Sequence, residues 1–380
     1  MRSVLITGGA GFIGFNLTKY FAEKYPDYRI IHLDRMSTPG CAANVNYCKT
    51  LPQFYFEHGD ASILQRVVSL FQEFDVRDVV VLAGESHSEQ TMQNPRPLVD
   101  SNIVALFTVL ETARQHWQSE PHHYKLGYEN CRLHLVSTTQ VYGERPLGTV
   151  LSEDIALLPK TPYAATRVGA EMLALSYLRT YGLNVTISRL SSVYGGGQLE
   201  NRFLPMMMRR ALREKYLVLG ANGQKKHDWL YIDDAIQALD ILIHRGENGG
   251  IYNVASGSIH TDMEIMRTMC DILDVKNPRE GGYKYEELIR CTGDSSAADY
   301  QVEVDTHKIR SEFGWKPTEQ FETGLVRTIS SLLESIPDKR RKRAALAAAA
   351  EAAAAEAENA QEGIEEGPSE ADLLAQAEKE

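Results

Sequence analysis

Three glycines set three apart, Gly8, Gly11 and Gly14, follow directly on the apolar run Val4, Leu5, Ile6 and open a stretch of helical periodicity from Ile13 to Lys24. Glycine in such a turn takes positive φ, lets backbone N–H groups reach a pyrophosphate, and lets the next helix lie close to the strand. The helix that begins around Phe12 and Ile13 would aim its positive N-terminal end at the phosphates. A second strand pattern, Arg29 to Leu33, ends in Asp34, about 20 residues on, where an acid can hold the adenosine ribose hydroxyls. The spacing predicts dinucleotide binding; the bland alternative is a tight turn kept for packing alone. Asp34 favours NAD over NADP, and its neighbour Arg35 pulls slightly the other way. Asp60, after Gly59 at the end of a third strand pattern, can accept from the adenine amino group or simply cap a helix. Ala83, Gly84 and Glu85 close a fourth, and Glu85, Ser86 and His87 fall at a strand end facing the same cleft.

These residues need a frame that brings strand ends together. Strand patterns at Arg2 to Thr7, Arg29 to Leu33, Gln53 to His58, Asp78 to Leu82, Arg132 to Ser137 and Asn184 to Ser188 alternate with helical periodicity. Such alternation implies parallel strands joined by right-handed crossovers, an α/β doubly wound sheet with its ligand at the carboxyl ends of the strands. Pro159 to Tyr163 introduces a long helix running to about Thr180. Beyond Tyr194 the texture turns to glycine-rich turns and shorter elements. The expected organisation is therefore a dinucleotide-binding domain over 1–193, with 227–256 returning to it, and a smaller interleaved substrate lobe from 194–226 and 257–336. A tail over 337–380 is expected to be helical or disordered: the basic run Lys339 to Arg343 precedes the alanine-glutamate stretch Ala344 to Ala360, which has almost no large apolar face to bury.

Composition narrows the class. A chain of 380 residues, 43% apolar and 24% charged, is ordinary for a globular protein, and its net charge of -11 disfavours broad nucleic-acid binding. Five cysteines lack any metal-ligand spacing, and His122 with His123 lies in a polar connection without partners, so no metal site is expected. With no cationic apolar leader and no apolar run of membrane-spanning length, a non-secreted, cytoplasmic protein with no membrane segment is expected.

Further motifs follow in one order: LAGESH at Leu82 to His87, SNIVALFTVLETAR at Ser101 to Arg114, STTQVYG at Ser137 to Gly143, PYAATR at Pro162 to Arg167, HDWLYIDDA at His227 to Ala235, YNVASG at Tyr252 to Gly257 and FGWKP at Phe313 to Pro317. With TGGAGFIG at Thr7 to Gly14, they make the chain resemble the extended short-chain dehydrogenase/reductase superfamily, with its Rossmann-type sheet, and within it the dTDP-glucose 4,6-dehydratases. The resemblance covers about Met1 to Leu333. It implies NAD as a recycled hydride store and a tyrosine that takes the proton from the sugar 4-hydroxyl. It also implies a lysine four residues on that binds the nicotinamide ribose, and an Asp-Glu pair that removes water. By the same resemblance Tyr163 is the tyrosine, Thr138 the hydroxyl that bonds the reacting oxygen, and Ala83 a cofactor contact.

The match departs from the family where chemistry concentrates. Arg167 stands at the lysine position, keeping the charge in a planar fork that cannot take an ammonium's place unchanged. Thr139 and Gln140 occupy the acid and base positions, and neither trades a proton near neutral pH, where such help is worth about 10²–10⁴-fold per group. On the nucleotide side, Ser192 opens the segment where the family has asparagine, and His227 stands for an arginine. Tyr300 and Gln301 fall near the family's paired arginines, and Arg202 could replace a family lysine. Each lost cation removes charge-assisted bonds worth about 1.5–3 kcal/mol.

The expected protein therefore keeps NAD but has lost efficient dehydration of a nucleotide-sugar, and serves a structural or regulatory role, as a homodimer or within a larger assembly reached through the tail. The alternative is an active divergent epimerase or dehydratase using Thr138, Tyr163 and Arg167, and a third reading is a nucleotide-sensing module. The resemblance also implies dimerisation through the helices Val99 to Gln115 and Thr161 to Thr180.

Overall fold

The computed structural model describes residues 2–38, 40–85, 93–293 and 302–335. Ser86, His87, Tyr300, Gln301 and the tail from 337 onward lie outside the described residues. Residues 1–331 form one compact unit, separate from the stretch that begins at 332.

In chain order, β1 (Arg2–Thr7), β2 (Tyr28–Asp34), β3 (Phe54–His58) and β4 (Val76–Val81) are followed by a short hairpin, β5 (Gln118–Glu120) and β6 (His123–Tyr124). Then come β7 (Arg132–Thr138), β8 (Val185–Leu190), β9 (Ser192–Tyr194), β10 (Leu217–Leu219), β11 (Lys226–Tyr231), β12 (Ile251–Val254), β13 (Ile259–Thr261) and β14 (Ile289–Cys291). Seven of these form the main sheet in the order β12-β8-β7-β4-β1-β2-β3, and every neighbouring pair is parallel. The chain runs outward from β1 through β2 to β3, then jumps back across β1 to β4. That reversal opens a crevice outside the carboxyl ends of β1 and β4, where doubly wound sheets take their ligands.

The apolar runs explain the sheet. Val4, Leu5 and Ile6 are fully buried because helices cover both faces. On one face α3 (Leu64–Phe74), α4 (Ala105–Trp117) and α5 (Pro162–Tyr181) send Val67, Phe71, Val109, Leu110, Ala170 and Ala174 into a core shared with Leu5, Leu33, Leu133 and Ile187. The indole of Trp117 is fully buried and donates to the Val76 carbonyl at 2.8 Å, so even its polar atom is matched.

Helix ends follow local chemistry. Pro162 sits in the first turn of α5, Thr161 Oγ1 accepts from Ala164 N at 3.1 Å, and Gly182 ends the helix at φ 69°. A π-helical turn, Asp100–Val104, leads into α4. Between α5 and β8 the chain turns on Gly182, and the polar connection at 118–129 contains the hairpin of β5 and β6.

Outside the main sheet, β9 pairs parallel with β11, β11 antiparallel with β13, and β10 parallel with β14. Of the two strands in 227–256, β12 pairs into the large sheet, and the turn before it also bonds β8, Gly249 N donating to the Val185 carbonyl at 2.7 Å. β11 instead joins the small sheet, where buried Asp228 accepts from Ser191 Oγ at 2.8 Å, Ser256 N at 3.0 Å and Gly257 N at 2.7 Å. With Ser256 Oγ donating as well, at 3.1 Å, a carboxylate held by four donors ties the strand to the turn after β12.

Candidate functional site

Each glycine of the first turn is there for a different reason. Gly8 has φ +73°, and a Cβ on it would lie 2.6 Å from Ala83 N, so the close approach of β1 and β4 excludes a side chain. A Cβ on Gly14 would lie 2.6 Å from the Gly9 Cα, which presses α1 (Phe12–Lys24) against its own turn. Gly11 is different: a Cβ there meets only the Gly8 carbonyl, at 3.2 Å, and the residue lines the cavity instead. It caps α1 without a side-chain partner, and the first turn of that helix carries no acid. The first-turn N–H groups of α1 therefore have no side-chain cap and stand beside the cavity, as an anion cradle requires.

That cavity, of about 900 Å³, lies at the reversal of strand order and collects Gly8, Gly11, Phe12, Ile13, Gly14, Asp34, Asp60, Ala83, Glu85 and Arg202. Asp34 ends β2 with its carboxylate fixed by two backbone donors, Met36 N at 2.7 Å and Ala10 N at 3.1 Å. Burial holds its pKa above the ordinary carboxylate range, although both N–H groups and Arg35 oppose the shift. Asp60 goes the other way. Burial alone would raise it, but the Ser62 N–H and Arg35 outweigh that and leave its carboxyl more acidic than usual. Arg35 itself spans the cavity edge, bonding Asp60 at 3.3 Å and Glu85 at 2.6 Å.

A second group of residues meets behind Gly84. Arg167, nearly buried on α5, and Asn102, in the π-helical turn, both crowd the space a Gly84 side chain would take. Asn102 Nδ2 donates to the Glu85 carbonyl at 3.2 Å and to Thr166 Oγ1 at 2.9 Å. Among the described residues, Arg167 Nε and Asn102 Oδ1 are covered yet have no hydrogen-bond partner. The Tyr163 ring lies with its centroid 5.6 Å from the Arg167 guanidinium carbon. Thr138 ends β7, and its Oγ1 accepts from Gln140 N at 3.3 Å, making it the cap of a short 3-10 turn over Thr139–Tyr142.

The structure therefore gathers the glycine, Asp34, Asp60, Ala83 and Arg202 positions around one cavity. Arg167 packs behind Gly84 with the Tyr163 ring beside it, and neither side chain is among those lining the cavity. Thr138, Thr139, Gln140, Ser192 and His227 do not line that cavity. Ser192 opens β9, and His227, on β11, faces Asp262 at 3.4 Å and the Trp229 ring. Several contributors carry little sequence signal. Gly9 rests on the ring of fully buried His32, whose Nε2 meets Thr18 Oγ1 at 2.5 Å, and burial pushes the imidazole pKa down to about 3. Cys41 and Leu199, from distant segments, pack together with Ala10 and Val45 and complete the cavity wall. Asn16 Nδ2 fastens the later glycine run to α1 by donating to the Gly196 carbonyl at 3.1 Å. The adjacent Gly8 and Gly9 were the one local hint of the His32 contact.

A glycine turn joining a central parallel strand to a helix, at the point where strand order reverses, defines a Rossmann-type α/β protein; its relatives make it a dTDP-glucose 4,6-dehydratase-like member of the short-chain dehydrogenase/reductase superfamily. Residues 5–328 match the family model described as GDP-mannose 4,6 dehydratase, and the chain belongs to that family. It is 30% identical over 335 residues to the dTDP-glucose 4,6-dehydratase of Salmonella typhimurium, covering 86% of this chain and 91% of that one. It is 31% identical to the enzyme of the same name from Neisseria meningitidis serogroup B, over 88% of this chain and 94% of that one. Among solved structures, dTDP-glucose 4,6-dehydratase from Streptomyces venezuelae with NAD and TYD bound superposes with a TM-score of 0.76 at 28% identity, over 88% of this chain and 97% of that one. UDP-glucuronic acid 4-epimerase from Bacillus cereus shares the fold, at 22% identity and a TM-score of 0.75, over 88% of this chain and the whole of that one.

Proposed function

We propose that this chain binds NAD in the cavity between β1 and β4 and a nucleotide-sugar beside it, and that it eliminates water from the sugar poorly or not at all. The observation that carries the second part is the turn after β7: the two positions behind Thr138 hold a hydroxyl, Thr139, and a carboxamide, Gln140.

The residues present fit the dinucleotide. Gly8 and Gly14 have no room for a Cβ, Gly11 leaves the cavity wall open, and Asp34 is preset to receive ribose hydroxyls. Gly8, Gly11, Phe12, Ile13 and Gly14 would hold the phosphates, Asp34 the ribose, and Asp60 the adenine amino group, with Ala83, Tyr163 and Arg167 toward the nicotinamide. The unpartnered Arg167 Nε and Asn102 Oδ1 support a polar ligand at the Gly84 wall, because buried polar atoms in native proteins are normally matched. Ser192, Arg202 and His227 would face the sugar nucleotide, whereas Glu85, bonded to Arg35 at 2.6 Å, stands on the cofactor side of the cavity; Ser86 and His87 lie outside the described residues. Bound NAD would supply the acceptor for a hydride from a sugar carbon. Tyr163 would take the hydroxyl proton with Thr138 bonding the same oxygen, and Arg167 keeps a cation beside the phenol ring. Neither Thr139 nor Gln140 can supply or remove the protons that elimination needs.

Incubating the purified chain with NAD and dTDP-, UDP- and GDP-hexoses, followed by mass spectrometry of the sugar nucleotides, tests this. No dehydrated product is expected; product at ordinary enzymatic rates overturns it. A second reading, an active epimerase, is favoured by the surviving Thr138, Tyr163 and cationic Arg167. It requires hexose interconversion that Tyr163→Phe abolishes.

For partners, we infer a homodimer through the neighbouring helices α4 and α5. Val104, Phe107 and Met172 are exposed by 39–48% on this pair and its lead-in turn, an apolar set without cover in the isolated chain. Light scattering should report a dimer that Phe107→Asp splits.

A further inference from the structure

Arg35 directly follows the acid that ends β2, and in doubly wound folds an arginine near this place accommodates the 2′-phosphate of NADP. Its own sequence position therefore argues against the NAD preference that Asp34 sets. The geometry removes the conflict. Arg35 Nη2 lies 2.6 Å from Glu85 Oε1 and Nη1 lies 3.3 Å from Asp60 Oδ2, so carboxylates from the ends of β4 and β3 engage both terminal nitrogens. All three side chains line the cavity, and each is about one-third exposed, at 33%, 28% and 30%, so the group belongs to the cavity wall rather than to the core. The backbone of Arg35 is held as well, its carbonyl within 3.2 Å of His58 Nε2.

Resting on the dinucleotide reading above, we infer that Glu85 is a cofactor-selectivity residue: by clamping Arg35 it withholds the guanidinium from a 2′-phosphate and makes the site select NAD over NADP. Two effects add. A guanidinium offers its donors in a fixed planar fork, and one edge given to Glu85 is lost to an incoming phosphate. The phosphate would also enter a neighbourhood where the carboxylates of Asp34, Asp60 and Glu85 surround Arg35. NAD meets neither obstacle, because its ribose hydroxyl bonds Asp34 and leaves the clamp closed. Glu85 reaches this role from the strand end next to Gly84, where the Asn102 amide holds its carbonyl at 3.2 Å and so fixes the backbone from which the side chain projects.

The test is calorimetric titration of the full-length chain with NAD and with NADP, for the wild type, Glu85→Gln, Glu85→Ala and the double variant Arg35→Ala/Glu85→Gln. The wild type should prefer NAD. Freeing Arg35 and removing one negative charge should raise affinity for NADP relative to NAD about tenfold in Glu85→Gln, less at high salt. Glu85→Ala should shift the ratio in the same direction, and the double variant should lose the gain, since no guanidinium remains to be freed. If NAD binds but the ratio is unchanged in both single variants, or the double variant keeps the gain, the clamp is refuted while the dinucleotide reading stands. A wild type that prefers NADP refutes it too. A wild type that binds neither cofactor removes the dinucleotide reading and this inference together.

Discussion

The β1–β4 side of the crevice and the β7–α5 side are built to different standards. On the first, the turn is over-determined: Gly8 and Gly14 are fixed by backbone packing, and Asp34 by two N–H groups, so few residues could change without moving a strand. On the second, α5 and β7 are held just as firmly from behind, yet the residues at 139, 140 and 167 are of a different kind from those the resemblance implies. Packing constrains the shape of both sides; on the first it also dictates residues that line the cavity. A site can keep its frame while its reacting groups change, because the frame is fixed from the rear.

The sharpest way to break this contrast is at the glycine turn. Gly8→Val places a β-branched side chain at φ +73° and against Ala83 N, which should cost about 2–6 kcal/mol of stability and abolish NAD binding, read by thermal melting and cofactor titration. A variant that melts like the wild type and binds NAD normally would show the turn to be slack. Next in size, Thr139→Asp combined with Gln140→Glu should raise dehydrated product by about 10²-fold or more over the parent, if the turn after β7 lacks only its proton-transfer groups. No gain would place the loss elsewhere on that side, with Arg167 foremost.

The smallest expected effect concerns the support of α5. Glu111 on α4 accepts from Arg114 at 2.6 Å and from Tyr177 on α5 at 3.0 Å, and the Arg114 bond pulls its pKa from 4.5 down to about 2. A carboxylate made more acidic by folding stabilises fully above its unfolded pKa, and that contribution fades as pH falls from about 4.5 toward about 2. The melting temperature should fall across that interval, and less steeply in Glu111→Gln. An unchanged slope would detach this bond from the stability of the α4–α5 pair.

Much of this was legible in the sequence. The six strand patterns match strands in the structure to within a couple of residues at each end, because each is an apolar run closed by a turn residue. The glycine spacing and Asp34 were legible for the same reason: both are local. The small sheet was not, since β9 and β13 are each three residues long and owe their pairing to β11. Nor was the meeting of Arg167, Asn102 and Gly84, which depends on a π-helical turn that no periodicity announces. Arg35 shows the limit best: its position in the sequence favours one cofactor, and its two carboxylate partners, 25 and 50 residues away, favour the other.

From the phenol-bearing helix, Glu171 pairs with Arg189 of β8 at 2.7 Å, with side-chain exposures of 0% and 2%, joined by the hydroxyls of Ser137 and Tyr142. Removing one member of such a pair strands a charge in the interior at about 3–5 kcal/mol, so evolution has little latitude there. The position of the phenol-bearing helix is thus set by a contact deep in the interior, independent of whichever ligand occupies the crevice.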